Sequence, residues 1–181
     1  MPVPNRGPAM ADPTHDPFEA AYERHHDAVW RCLRALGVPY PALDDATQDV
    51  FVVVHRRLPD FDHASALGAW ILGIARNVAR KYRERQRPRP MLDVIDRHTP
   101  ESPDTIIARR RAAALVQAFV DALPTEQREV FVLIELHGLT APQVAEQTSI
   151  PLNTVYSRLR LARRRFDRTL ARQAARRQRP A

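Results

Sequence analysis

The sequence predicts an all-α protein made of two small helical domains joined by a flexible linker. Apolar residues recur at helical spacing through most of the chain, and no stretch sustains the two-residue alternation of a strand. Four prolines fall within residues 88–104, which show little periodicity and separate two groups of helical patterns. With 181 residues and 44% apolar content, the chain is long enough for two small cores.

The N-terminal domain is predicted to span residues 17–87 and to contain three helices. The first starts near Phe18, keeps Tyr22 on its inward side and stops at Gly37 before a pair of prolines. A second helix follows. The third runs over about residues 66–86, carries a buried apolar stripe and turns basic in its second half.

The second predicted helix, residues 44–58, begins with Asp44 as its cap and has two distinct faces. One face is apolar. The other face collects five residues at i, i+3, i+4, i+7 and i+11, namely Asp45, Gln48, Asp49, Val52 and Arg56. Val52 is therefore predicted to be exposed, and an exposed apolar residue among acids favours a partner surface. An ordinary solvated helix face is the alternative.

The C-terminal domain is predicted to span residues 105–170 and to contain four helices. The first ends at Leu123 and Pro124. Thr125 then caps the second, in which Leu136 is counted among the inward apolar residues.

The last two helices of this domain are predicted to form a helix-turn-helix. Thr140 and Gln143 make a capping box that starts a short helix, and residues 149–151 break its period. The next helix has an inner stripe of Val155, Leu159, Ala162 and Phe166. Its opposite face carries Asn153, Tyr156, Ser157, Arg160, Arg163 and Arg164. A helical hairpin with a solvated arginine face is the alternative, but the clustering of arginines favours DNA binding.

Two tails flank the predicted domains. Residues 1–16 are rich in proline and small polar side chains and are predicted to be disordered. Residues 171–181 form a basic tail, and the last helix is expected to fray after Arg168, where the core residues end.

The charge distribution predicts a polyanionic partner. The net charge is +7, and it is concentrated in two basic stretches. Residues 145–181 contain ten arginines against two acids, and residues 76–89 contain six arginines and one lysine against one acid. Residues 17–75 run the other way, with eight acids against five arginines. The chain therefore offers two basic patches and an acidic surface.

Several classes of protein are disfavoured by composition. Cys32 is the single cysteine and its apolar neighbours predict a buried thiol, so neither an internal disulfide nor a cysteine zinc cluster is expected. The seven histidines lack metal-ligand spacing, and neither a metal nor a cofactor is expected. Because no apolar run reaches signal-peptide or membrane-spanning length, we expect a soluble, cytoplasmic protein without membrane insertion.

Three stretches together resemble a known family. They are DDATQDVFVVVHRRLPDFD at 44–62, AWILGIARNVARKYRERQR at 69–87 and LPTEQREVFVLIELHGLTAPQVAEQTSIPLNTVYSRLRLAR at 123–163. In this order and spacing they resemble the short, two-domain extracytoplasmic-function sigma factors of bacterial RNA polymerase, over roughly residues 17–170. The resemblance implies a subunit that binds core polymerase, recognises and melts promoters, and is not an enzyme. It also implies an anti-sigma partner.

The resemblance implies a role for each motif. The 44–58 helix is similar to the one that docks on the polymerase clamp helices, with Asp45, Gln48, Asp49 and Val52 in contact. The third helix resembles the element that opens and reads the minus-ten motif, through Arg76, Asn77, Arg80, Lys81 and Arg83. The loop from Phe61 to Ser65 would shape a pocket for a flipped base. Arginines suit an opened strand's backbone, and Asn77 can pair with a base edge unless it is a solvated surface amide.

The last helix, at 152–165, is implied to lie in the major groove of the minus-thirty-five motif. The residues assigned to DNA there are Asn153, Thr154, Tyr156, Ser157, Arg158, Arg160, Arg163 and Arg164. The chain departs from the family at Asn153 and Ser149, where glycine is usual, and Asn tolerates the glycine conformation. Tyr156 and Leu161 replace residues that are often basic, so promoter specificity is not carried over.

Alternatives remain at the level of single residues and of function. Trp70 and Tyr82 fit either an aromatic platform for bases or plain core packing, and for Trp70 the apolar stripe favours packing. A stand-alone helix-turn-helix regulator would explain residues 105–181 but would leave the acidic helix face without a role. A nuclease would need converging carboxylates for metal ions, and the chain shows no such constellation.

Overall fold

The structure, a computed structural model, describes residues 16–62, 66–85 and 103–177, and within these ranges it is helical without any strand. Most of the predicted linker, nearly all of the predicted N-terminal tail and residues 178–181 of the predicted basic tail lie outside them. The helices are α1 (Pro17–Ala35), α2 (Leu43–Arg57), α3 (Leu67–Arg85), α4 (Pro103–Asp121), α5 (Thr125–Phe131), α6 (Ala141–Thr148) and α7 (Leu152–Arg177). A π-helical segment, Val132–Leu136, continues α5. The all-α prediction is confirmed.

Helices α1, α2 and α3 pack on one another and form an N-terminal unit. Their fully buried side chains include Val29, Leu33, Val50, Val54, Ile71 and Ala75. Asp16 caps α1 by accepting a hydrogen bond from the backbone of Phe18 at 2.9 Å, and Gly37, with φ +90, ends it. Each fully buried valine or leucine contributes about 1.5–3 kcal/mol, so this packing fixes the positions of the polar faces of α2 and α3.

The predicted cap of α2 is wrong. The N-cap position is Ala42, which is the last residue of a 3-10 turn over Tyr40–Ala42 and makes no side-chain capping bond. That turn already gives the amide of Leu43 the carbonyl of Tyr40 as its acceptor. The carboxylate of Asp44 instead accepts a hydrogen bond from the indole of Trp30 at 3.1 Å.

Helices α4 to α7, with the π-helical segment, form a C-terminal unit. Phe119 of α4, Phe131 of α5 and Phe166 of α7 meet with ring centroids 5.0–5.9 Å apart. The predicted capping box is confirmed, because the Thr140 backbone donates to Gln143 Oε1 at 2.8 Å and Thr140 Oγ1 accepts from the Gln143 backbone.

Several details of the C-terminal prediction are wrong. Pro124, not Thr125, is the N-cap residue of α5. Leu136 is exposed, because the π-helical segment takes more residues per turn and rotates later positions away from the core. Helix α7 continues to Arg177 instead of fraying after Arg168, as arginine and alanine are good helix formers.

The inward placement of Tyr22 is also wrong. Its side chain is exposed, and its ring rests on Phe51 of α2 at a centroid distance of 4.6 Å. Cys32, in contrast, is fully buried as predicted.

The two units lie against each other. Helix α3 packs on α6, and α1 contacts both α4 and the π-helical segment. Their buried residues belong to one continuous apolar cluster. Any surface of α3 that faces the C-terminal unit is therefore withdrawn from solvent.

Candidate nucleic-acid and protein interfaces

The polar face of α2 lies on the surface of the N-terminal unit. Asp45, Gln48 and Asp49 are exposed. Val52 is 41% exposed, which confirms its predicted exposure. Asp49 is tied to α3, because its carboxylate accepts a hydrogen bond from the hydroxyl of Tyr82 at 2.9 Å. Burial and this bond raise the pKa of Tyr82.

An aromatic groove between α1 and α2 adjoins this face. Phe18 and Tyr22 come from α1, and Phe51 and His55 come from α2. The rings of Phe18 and His55 meet edge to face at 4.9 Å. Gln48 and Val52 also line the groove, so it is continuous with the acidic face. Sequence reasoning missed this contribution of α1, although two aromatic residues spaced by one helical turn were visible.

The basic residues of α3 divide between two environments. Asn77, Arg80 and Lys81 are exposed, and Arg80 faces Glu84 at 3.8 Å. Arg76 and Arg83 instead point toward the C-terminal unit, with only 12% and 15% of their side chains exposed. The structure therefore does not bring the predicted minus-ten residues together on one open surface.

Glu129 of α5 is the partner of both withdrawn arginines. Its Oε2 accepts from Nε and Nη2 of Arg76 at 2.8 and 2.7 Å, and its Oε1 accepts from Nη2 of Arg83 at 2.6 Å. Arg83 also donates to the backbone carbonyl of Leu36 at 2.7 Å. Sequence reasoning missed Glu129. The sequence does contain a clue, because Glu129 lies one turn before Val132 and Leu133 on the apolar side of the helix, where a carboxylate needs a buried partner.

Two further titratable groups lie where the units meet. Burial lowers the pKa of the Arg128 guanidinium, with Arg83 adding to the effect, while Arg128 donates to the carbonyl of Asp121 at 2.6 Å. Burial also lowers the pKa of His137 to about 4, and Arg31 of α1 contributes in the same direction.

The aromatic residues near the predicted base pocket are packed inward. Phe61 is buried, and its ring lies 5.0 Å from that of Trp70, which is half-buried against the core. Core packing is thus the observed role of Trp70 in the free chain. Residues 63–65 of the predicted pocket lie outside the described residues.

Helix α7 presents the predicted outer face to solvent. Val155, Leu159 and Ala162 of the inner stripe are buried. Asn153, Tyr156, Arg160, Arg163 and Arg164 are exposed, while Thr154, Ser157 and Arg158 are half-buried.

Two of the α7 arginines have carboxylate partners. Arg163 meets Glu135 at 2.7 Å, and Arg158 meets Glu126 at 2.9 Å. The Glu126 side chain is itself 70% exposed. A pair at the surface contributes about 0–1 kcal/mol, so Arg163, whose side chain is 59% exposed, remains available to another anion.

The described residues carry neither of two other kinds of site. They contain no group of three histidine, cysteine, aspartate or glutamate side chains that could hold a metal ion. None of their helices is both long and apolar enough to cross a membrane.

Both units match family models. Residues 21–89 match Sigma-70 region 2, and residues 113–166 match Sigma-70, region 4. The first match covers α1 to α3 almost entirely, and the second runs from the second half of α4 through α5 and α6 to Phe166 of α7.

Curated relatives match most of the chain. The RNA polymerase sigma factor CnrH of Cupriavidus metallidurans is 28% identical over 84% of this chain and 86% of its own. The ECF RNA polymerase sigma factor SigM of Mycobacterium tuberculosis is 29% identical over 84% and 76%. The ECF RNA polymerase sigma-E factor of Escherichia coli is 30% identical over 72% and 74%.

Two solved structures share the fold. CnrH in complex with the cytosolic domain of CnrY superposes with a TM-score of 0.64 at 27% identity, covering 85% of this chain and 87% of that one. The sigma factor RpoE in complex with the anti-sigma factor NepR from Bartonella quintana gives a TM-score of 0.69, covering 85% and 96%. Its identity of 22% supports the fold alone.

Proposed function

The chain belongs to the extracytoplasmic-function sigma factors of bacterial RNA polymerase, and we propose how its surfaces divide that work. A sigma factor binds core polymerase and directs promoter recognition, melting and initiation. One observation carries the proposal. The region 2 match contains the acidic face of α2 and the basic helix α3, and the region 4 match contains the basic face of α7. The family acts in initiation without being an enzyme, and we propose the same of this chain, with no cofactor.

The face of α2 is proposed to dock on the clamp helices of core polymerase. Asp45, Gln48 and Asp49 supply charge and hydrogen-bond acceptors, and Val52 supplies an apolar contact. Complementary charge steers two proteins together and disfavours wrong partners. The free protein gains little from an exposed valine, which supports a partner surface.

Helix α3 is proposed to bind the opened minus-ten motif. The exposed Asn77 offers an amide to a base edge, and Arg80 and Lys81 offer charge to the strand. Arg76 and Arg83 belong to the same proposed surface but face the C-terminal unit in the free chain. Phe61 completes the proposal as part of the base pocket, although its ring is buried against Trp70 here.

Helix α7 is proposed to enter the major groove of the minus-thirty-five motif. Its exposed arginines Arg160, Arg163 and Arg164 suit phosphates, and we propose that the exposed Asn153 and Tyr156 contact base edges. Thr154, Ser157 and Arg158 flank that surface. We place this activity in the cytoplasm with the polymerase. We also propose an anti-sigma partner, because the similar structure of CnrH is a complex with a second protein, the cytosolic domain of CnrY.

Run-off transcription tests the proposed function. The full chain and core polymerase would be supplied with a pool of genomic promoters, with core polymerase alone as the control. We expect specific transcripts that depend on the chain. Replacing Asp45 and Gln48 by arginine should abolish polymerase co-purification and these transcripts, because like charges across a docked face cost several kcal/mol.

The same experiment separates a sigma factor from a stand-alone helix-turn-helix regulator. A regulator would bind duplex DNA through α7 without associating with polymerase. If the wild-type chain never binds polymerase, the sigma proposal fails.

A further inference from the structure

One face of α3 is closed by the C-terminal unit. Gly73, Arg76 and Arg83 are spaced by three and seven residues, so they share that face. Gly73 lies against α6, and a Cβ at this position would come within 2.9 Å of Cβ of Gln147. The contact is therefore a close packing of two helices, which depends on the missing side chain of glycine.

Glu129 presents to these arginines the chemistry that a nucleic-acid phosphate would present. Each carboxylate oxygen takes one guanidinium, at 2.6–2.8 Å. Arginine recognises carboxylates and phosphates through the same fork of N–H donors. Because both guanidiniums are withdrawn from solvent, a DNA backbone does not reach them while Glu129 is in place.

The closed contact carries an excess of positive charge. Arg76, Arg83 and Arg128 lie around the buried carboxylate of Glu129, and Asp121 adds a second carboxylate near Arg128, so three cations face two anions. Nε of Arg128 has no hydrogen-bond partner among the described residues. A buried ion pair loses much of its attraction to desolvation, and an unbalanced one loses more. The contact is thus suited to opening when a polyanion competes for the arginines.

We propose that the C-terminal unit holds the free chain closed and competes with minus-ten DNA, with Glu129 acting as a substitute for the DNA backbone at Arg76 and Arg83. This rests on the proposed role of α3. Opening would release both arginines to the surface that already carries Asn77 and Arg80. Only the open fraction of the chain binds the single strand, so the apparent affinity is reduced by that fraction.

A distance measurement reports closure directly. Nitroxide labels would be attached to cysteines introduced at Ala20 of α1 and Ala171 of α7, which are both exposed. Cys32 is fully buried and burial raises its pKa to about 12, so it stays unlabelled. We expect a narrow distance distribution for the wild-type chain and a longer, broader one for Glu129→Gln.

DNA binding is measured on the same variants. The probe is the non-template single strand of a promoter found in the run-off experiment. Glu129→Gln should bind it about tenfold more tightly than wild type, as the open fraction rises. Glu146→Gln, an equal charge change at an exposed position of α6, should stay within about twofold of wild type, since salt screens a single exposed charge that does not contact the strand.

A second variant opens the contact without changing charge. Gly73→Ala keeps the helix, since alanine is a better helix former than glycine, but its methyl group drives α3 away from Gln147. It should lengthen the distance and tighten DNA binding as Glu129→Gln does. If circular dichroism shows that Glu129→Gln is misfolded, Gly73→Ala decides alone.

The proposal is overturned if folded Gly73→Ala keeps the wild-type distance and affinity, or if Glu146→Gln tightens binding as much as Glu129→Gln. Failure of the proposed function has a different signature. In that case the wild-type chain supports no transcription with polymerase, whatever the label distances show.

Discussion

Helices α3 and α7 are both rich in arginine, yet they hold that charge in opposite ways. The central arginines of α3, Arg76 and Arg83, are turned inward onto a buried carboxylate. On α7, Arg160, Arg163 and Arg164 are exposed, and Glu135, the partner of Arg163, is also near the surface. The difference shows that the number of basic residues on a helix does not determine how many are available to DNA. The helices packed beside it determine how many are available, as α5 does for α3 through Glu129.

The largest expected difference between the two helices is in the free energy of unfolding that is lost when one of their arginines is replaced. Arg83→Ala removes one of two partners of Glu129 and the bond to Leu36, so we expect a loss of roughly 2–4 kcal/mol in the free energy of unfolding, somewhat below the cost of unpairing a buried charge completely. Arg164→Ala on α7 should change it by less than about 0.5 kcal/mol. Urea denaturation measures both. Equal losses would remove the distinction between the helices.

The salt dependence of DNA binding should show whether the exposed arginines of α7 contact phosphates. Replacing Arg160, Arg163 and Arg164 by alanine should lower the slope of log K against log salt by about 3 on minus-thirty-five duplex, because each phosphate contact contributes about 0.9. A control variant replaces two arginines outside α7, the exposed Arg110 and Arg111 of α4. An unchanged slope in the triple variant would show that these arginines of α7 do not contact the DNA.

Base preference should test the exposed part of α3. Asn77→Ala should leave polymerase binding intact and lose about 1–3 kcal/mol of discrimination at one minus-ten position. Permanganate footprinting on promoter variants measures this preference. If variant and wild type show the same pattern of melting, Asn77 does not read a base and is a solvated surface amide.

Acid should weaken the whole fold slightly. The pKa of His137 is lowered to about 4 in the folded chain, and that of His25 is lowered by burial and by Arg24. Below the ordinary value of 6.5 the unfolded chain binds more protons, so stability falls as pH drops from 6.5 toward 4. From pH 7 to 5.5 we expect His137 to cost about 1 kcal/mol.

The control for this acid effect is His137→Asn. The variant should lose stability less steeply than wild type over the same range, while the contribution of His25 remains. Thermal unfolding at matched ionic strength measures the difference. A slope as steep in the variant as in wild type would mean that His137 does not carry the effect.

Local features of the molecule followed from the sequence. The capping box of Thr140 and Gln143, the inner stripe of α7 and the exposure of Val52 all depend on residues within a few helical turns. The roles assigned to the exposed residues remain predictions.

Features that depend on distant packing did not follow. The charges of Arg76 and Arg83 were visible, but their partner Glu129 lies 53 and 46 residues away. The exposure of Leu136 required the π-helical segment, which the helical period does not reveal. Asp44 resembled a cap because the 3-10 turn before α2 was not anticipated.

The turn of the helix-turn-helix affects which residues of this chain can be substituted without moving α7. Ser149 adopts φ 55 and ψ 29, a left-handed conformation that costs a residue other than glycine about 1–2 kcal/mol. Its own preference therefore does not set the turn. The angle is imposed by helix packing around Val144 of α6 and Val155 of α7, both fully buried. Exposed positions of α7 can thus be exchanged in the course of evolution, or in a selection for new promoters, while the helix keeps its angle of approach.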